Sequence, residues 1–175
     1  YTDVMEKGWN PKVGAFVQSY GSEALDASNL IMPMVFFVSP TDPRMLSTID
    51  RTLEQLALGS LVYRYEIGKA ASDGLEGEEG TFSLCTFWLV EALTKAGRLT
   101  EARLIFEKML SYTNHLRLYA EEVSHTGEQL GNFPQAFTHF GLITAASNLD
   151  LALNSRKGTH TVVRRSRSAS QATGT

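Results

Sequence analysis

Apolar segments of two kinds alternate along this 175-residue chain, and few architectures accept such a pattern. Residues 27–37 are apolar on nearly every side, whereas 43–57 carry Met45, Leu46, Ile49, Leu53 and Leu56 at helical spacing with polar residues between. Residues 81–96 are apolar all round again, 99–112 are one-sided, and 135–153 are mostly apolar. A helix with one apolar stripe lies at a surface, but a helix apolar on all faces must be covered on every side. A double-layered ring of helices produces this alternation, because inner helices are enclosed by outer ones. The expected fold is therefore all-α, and about five helices make an arc of such a ring. Loops joining the layers gather at one end, where barrel-like scaffolds place function.

The boundaries follow from local chemistry. Asp42 can cap a helix and Pro43 suits its first position. Gly97 closes the helix over 81–96 as a left-handed cap. Over 99–112, Ala102, Ile105, Phe106, Met109 and Leu110 face inward, and Glu101, Arg103, Glu107 and Lys108 face outward. Pro33 would kink a helix over 27–37. Residues 1–24 read as irregular apart from a short strand around 14–20, and 61–65 are β-like. Residues 73–80 form a glycine- and acid-rich loop, 113–133 are polar and irregular, and Pro134 opens a last helix to about Leu153.

Charge narrows the function classes. Five of the sixteen Lys and Arg residues (Arg156, Lys157, Arg164, Arg165, Arg167) lie in 155–175 with no acid. The other eleven face all nineteen acids, so the body carries −8. Such a body excludes a nucleic-acid-binding domain, whose phosphate contacts need cations. The basic tail, 155–175, is too poor in apolar residues to offset its ordering entropy and reads as disordered. One cysteine, Cys85, permits no internal disulfide and points to a reducing, cytoplasmic setting. Its apolar neighbours make it a small buried side chain and not a nucleophile. No run of about 18 apolar residues exists, so no membrane contact is expected. His115, His125, His139 and His160 do not fall at metal-ligand spacing, and no metal or cofactor is expected.

The most informative segment is Leu118 to Phe137, LYAEEVSHTGEQLGNFPQAF. Adjacent Glu121 and Glu122 point different ways in extended chain, so one can face a pocket while the other contacts protein. On the residues alone, these acids read first as solvated loop charges. The runs Ala120-Glu121-Glu122, Gly127-Glu128-Gln129-Leu130 and Asn132–Phe137 resemble the signature near the C-terminal end of glycoside hydrolase family 15, the glucoamylases and bacterial trehalases. Four further blocks agree in order and spacing: 14–21, Asp26-Ala27-Ser28, Val62–Tyr65 and Glu79–Trp88. The resemblance covers about residues 8–154.

This resemblance implies the C-terminal arc of an (α/α)6 double-layered barrel, the six-hairpin toroid, with residues 1–154 as the C-terminal part of the catalytic domain. It implies inverting hydrolysis of an α-glucoside, trehalose or a maltooligosaccharide, without a cofactor. Glu121 matches the general base and Arg64 an arginine near the sugar subsites. Asp26 matches an acid of the inner-helix motif, although capping explains it as well. For Arg64 the plain alternative is a salt bridge to the loop 73–79. Trp88 and Phe87 could offer a sugar-stacking face, yet their apolar surroundings favour core packing. Glu128 could orient the loop by accepting backbone N–H groups.

The family's general acid has no match here. It is expected on the missing N-terminal part of the domain, and the absence of a starting Met agrees with that. Without that part, the inner segments 27–37 and 81–96 should lie exposed along the open edges. Two other readings remain: a carbohydrate-binding remnant without turnover, and a helical-repeat interaction protein suggested by 96–110. No second copy of that unit occurs about 34 residues away on either side.

Overall fold

The computed structural model describes residues 1–65 and 80–171, with side chains of the last helix through Ser155. The chain opens with a helix, α1 (Thr2–Lys7), where irregular structure was expected. An Asp3–Lys7 pair one turn apart supports it, and Met5 anchors it in the core. Strands β1 (Trp9–Asn10) and β2 (Ala15–Phe16) then pair antiparallel, with Trp9 opposite Phe16 and Asn10 opposite Ala15. Gly14, at φ 73°, makes the return. The strand expected around 14–20 is therefore present but only two residues long.

The helix expected over 27–37 is not formed. Ala27–Ile31 make a 3-10 turn capped by Asp26, whose carboxylate accepts Ser28 N at 2.8 Å, and further turns follow. Pro33 has no N–H to donate, and Phe36 sits at φ 59°, a left-handed geometry that a continuous helix excludes. Ala27, Leu30 and Val38 stay in the core, while Phe36 is 90% exposed.

Helix α2 (Pro43–Gln55) matches its expected start. Asp42 accepts Arg44 N at 2.8 Å, Pro43 occupies the first turn, and Met45 and Ile49 are fully buried. A tight hairpin, β3 (Ala57–Leu58) and β4 (Leu61–Val62), turns at Gly59 with φ 63°. Strand β5 (Thr81–Phe82) leads directly into α3 (Ser83–Lys95), followed by α4 (Leu99–Met109) and a 3-10 turn, Leu110–Tyr112. On α4, Leu99, Ala102 and Met109 are buried and Ile105 and Phe106 half-buried, but Leu110 is exposed, contrary to expectation. It falls in the 3-10 turn, where the helical register that would aim it inward has ended.

Within 113–133, expected to be irregular, lie β6 (Glu122–Val123) and β7 (Gln129–Leu130). With β5 they form a three-stranded antiparallel sheet in the order β5-β6-β7. A strand of two residues, one polar and one apolar, is too short for any periodicity to betray it. One of the partners of β6, β5, lies some 40 residues earlier, so only the folded chain completes the sheet. The last helix, α5, runs Ala136–Gln171, beyond the end expected near Leu153. No proline interrupts that stretch.

Helix α3 is the centre of the structure. It packs against α5, α4, α2 and the 27–31 turn, and Phe87, Leu89, Val90 and Leu93 are at most 1% exposed. Each such side chain contributes about 1.5–3 kcal/mol relative to exposure. Glu91 is buried too, its carboxylate accepting Thr144 Oγ1 at 2.5 Å and Asn148 Nδ2 at 2.8 Å from α5. The exposure expected for 81–96 is therefore not found. Apolar surface lies open elsewhere, on the outer side of α5, where Phe137, Phe140, Ile143 and Leu151 are each at least 60% exposed. No Asp, Glu, Lys or Arg occurs between Glu128 and Asp150 to wet that side.

Candidate active site

The segment around Tyr119 is held by α3, α4 and α5. Tyr119 is buried, with its ring edge-on to Phe87 of α3 at 5.5 Å and to His139 of α5 at 5.8 Å. Phe87 in turn meets Phe106 of α4 at 6.3 Å. The Tyr119 hydroxyl donates to Met109 O at 3.0 Å, and burial pushes its phenol up to about 12, so it remains a donor. Tyr119 N donates to His139 Nε2 at 3.3 Å, and Gln135 N donates to Tyr119 O at 3.0 Å. His139 Nδ1 lies 2.6 Å from Gln135 O, so it carries the proton and leaves Nε2 as the acceptor.

Two residues on, Glu121 is fixed by backbone and side chain together. Its N–H donates to Asn132 O, and its carbonyl accepts Ser83 N from the first residue of α3, both at 3.0 Å. Its Oε2 accepts Asn132 N at 3.0 Å and Asn132 Nδ2 at 2.9 Å, while Oε1 accepts no hydrogen bond among the described residues. Gly131, at φ 72°, passes so close that a Cβ there would lie 2.8 Å from Oε2. Glu122 turns the other way, as extended chain requires, and its Oε2 accepts Gly80 N at 2.8 Å. The half-buried Glu121 thus holds one carboxylate oxygen that accepts no hydrogen bond among the described residues.

The orienting role considered for Glu128 belongs to another residue. Ser124 Oγ accepts the amides of Thr126 and Glu128, at 3.2 and 3.0 Å. Glu128 itself is exposed. A serine hydroxyl at the start of a four-residue turn reaches the amides ahead of it with less chain to order.

Arg64 and Asp26 come together. Arg64 Nε lies 3.7 Å from Asp26 Oδ1, Arg64 O accepts Ala27 N at 2.7 Å, and Asp26 pairs with Tyr65 in an isolated bridge. The guanidinium remains open to solvent and Asp26 is mostly enclosed. The salt bridge from Arg64 to 73–79 lies outside the described residues. This pair is joined to α3 through β4, where Val62 N donates to Thr86 Oγ1 at 3.0 Å. Glu121 and the Arg64–Asp26 pair are therefore both anchored on the N-terminal end of α3.

Trp88 is half-buried against the core, and Phe87 is wholly enclosed and has no face to offer a ligand. Cys85 is buried and its thiol is pushed up to about 12 by desolvation. Among the described residues, no three His, Cys, Asp or Glu side chains group as a metal site would, and no helix is long and apolar enough to cross a membrane. The residues that the sequence reading missed are Asn132 and Gly131. Their adjacency before Phe133-Pro134 was visible, but their approach to Glu121 depends on the turn between β6 and β7.

Known proteins resemble this chain in sequence and in fold. A trehalase of Mycobacterium tuberculosis is 46% identical over 144 residues, covering 82% of this chain and 21% of that protein. A trehalase of Thermoplasma acidophilum is 42% identical over 158 residues, covering 89% of this chain and 26% of that protein. The chain thus spans about a quarter or less of the length of these curated relatives. Among solved structures, a wild-type glycosidase superposes with a TM-score of 0.69 at 22% identity, over 86% of this chain and 42% of the other. A variant glycosidase in complex with glucose gives 0.72 at 21% identity, with the same coverage. These likenesses show a shared fold, and set aside the helical-repeat reading of 96–110. The model of the glycosyl hydrolases family 15 matches residues 1–147, the whole span that holds Asp26, Arg64, Trp88 and Glu121, and the chain belongs to that family.

Proposed function

We propose that this chain is part of an inverting α-glucoside hydrolase acting on trehalose, in which Glu121 is the general base. The observation that carries the reading is the state of the Glu121 carboxylate: Oε2 is taken by two Asn132 donors and Oε1 accepts none among the described residues. Trehalose is preferred over a maltooligosaccharide because the curated relatives at 42–46% identity are trehalases.

In an inverting reaction, Oε1 takes a proton from water as the water oxygen bonds to the anomeric carbon. The glycosidic carbon–oxygen bond breaks on the opposite face, and a protonated carboxyl about 6.5–9.5 Å from the base gives its proton to the leaving oxygen. Only protons and an acetal oxygen move, so no redox cofactor takes part. We place the general acid in the N-terminal part of the domain, consistent with the share of the relatives that this chain leaves unmatched. The same part is our candidate cover for Phe137, Phe140 and Ile143 on α5. The described helices are then the C-terminal arc of an (α/α)6 barrel, with α3 enclosed and α2 and α4 one-sided.

Arg64 and Asp26 suit sugar hydroxyls, since a planar guanidinium donates in fixed directions and the carboxylate that holds it accepts. Trp88 is proposed as an apolar wall of the same pocket. The basic stretch 155–175 lies outside the family match and takes no part in this scheme.

The test uses the chain continued upstream to the length of its relatives, assayed for glucose release from trehalose and from maltooligosaccharides. Glu121→Gln should keep the fold and the KM while lowering turnover on the order of 10²–10⁴-fold, the usual worth of a general base. Unchanged turnover removes Glu121 from the mechanism. Sugar binding without any turnover in the continued protein would favour a binding remnant.

A further inference from the structure

We propose that Asn132 is the positioning residue of Glu121 and decides which carboxylate oxygen acts as base, an inference that rests on the assignment of Glu121 above. Three contacts join the two residues. Glu121 N donates to Asn132 O at 3.0 Å, and Asn132 N and Nδ2 both donate to Oε2, at 3.0 and 2.9 Å. The two side-chain contacts converge on one atom. An oxygen that already accepts two N–H donors has its lone pairs occupied and is the poorer proton acceptor. The proton of the attacking water therefore goes to Oε1.

A glutamate carboxylate can otherwise turn about its terminal torsion, which is broad and roughly two-fold, and exchange the two oxygens. The Asn132 amide ends that freedom. Gly131 makes the approach possible: a Cβ there would lie 2.8 Å from Oε2 and 3.0 Å from Glu121 Cβ. Backbone passing this near a side chain leaves no room for the carboxylate to swing toward it. Asn132 is itself exposed, just beyond the end of β7, so its amide is not needed to fill the core. A short amide at this position is spent on the carboxylate and on nothing else among the described residues.

The experiment uses the same upstream-continued protein, with kcat and KM for trehalose and the unfolding midpoint measured for N132A, N132D, E121Q and N132A/E121Q. N132A should lower kcat on the order of 10- to 100-fold, the cost of a reacting group misplaced by about 1 Å, with KM and the midpoint little changed. N132D keeps the shape of asparagine but sets a carboxylate against Oε2, so it should be the harsher variant. If Asn132 only fills space, N132D would be the milder one, and that result overturns the proposal. N132A should add no further loss in the E121Q background, because it acts through Glu121. An additive loss overturns the proposal as well. Full activity in E121Q would sink the base assignment itself, whereas a dead E121Q beside a fully active N132A would sink only the role of Asn132.

Discussion

Gly141 on α5 is the place where the packing around the site can be tested most sharply, because two opposing effects meet there. In the interior of a helix, Gly→Ala should stabilise by about 0.8–1.0 kcal/mol through helix propensity alone. Here an added Cβ would lie 2.8 Å from Leu84 Cδ1, 3.2 Å from Phe87 Cβ and 3.6 Å from Phe87 Cδ2. Leu84 is half-buried and its methyl can swing aside, at about 0.5–1.5 kcal/mol if it leaves its rotamer. Phe87 Cβ is different, since it moves only with the α3 backbone. The helices must then part by a few tenths of an ångström in a region where Phe87 is wholly buried, and overpacking of that kind costs about 1–3 kcal/mol. The packing cost is the larger, and Gly141→Ala should destabilise by up to about 2 kcal/mol. Gly141→Val should be worse, since it adds two more methyl groups against Phe87 and gains less in propensity. Urea unfolding followed by helical circular dichroism measures both, with Ser147→Ala on the exposed side of α5 as a control expected within about 0.5 kcal/mol of the parent. A Gly141→Ala protein stabilised by the full propensity gain would refute the close approach of α3 and α5.

Two further outcomes follow from single residues. Asp42→Ala should cost about 0.5–2 kcal/mol by removing the cap of α2, read as a lower urea midpoint. Arg44 donates to the Asp42 carboxylate and holds it below its ordinary value of 3.8, so the contribution is present above that value and is lost as pH falls through the lower folded-state value. The difference between parent and Asp42→Ala should therefore shrink below pH 3.8, and a difference constant through that range would count against the cap. Cys85, with its thiol pushed up to about 12, should resist thiol reagents at pH 8 in the folded protein and react on unfolding. Rapid labelling of the native state would show α3 to be less enclosed than described.

The sequence by itself determined which segments needed cover and where helices could start. Asp42-Pro43 set the beginning of α2, and the all-round apolar run 81–96 required the enclosure that α5, α4 and the 27–31 turn provide. The divergence of Glu121 and Glu122 was legible too, because successive side chains of extended backbone must point apart. Local pattern misled where two residues outweighed it: 27–37 is as apolar as a buried helix, but Pro33 and the left-handed Phe36 break it into turns. What the tertiary structure alone decided was the setting of the carboxylate. Strand β6 is paired on one side with β5, some 40 residues earlier, and on the other with β7, and Asn132 reaches Glu121 because the β6–β7 hairpin folds the chain back on itself. The β5–β6 pairing joins positions some 40 residues apart, where no spacing rule operates, and the Asn132 contact depends on the path of the hairpin between, which no local pattern specifies.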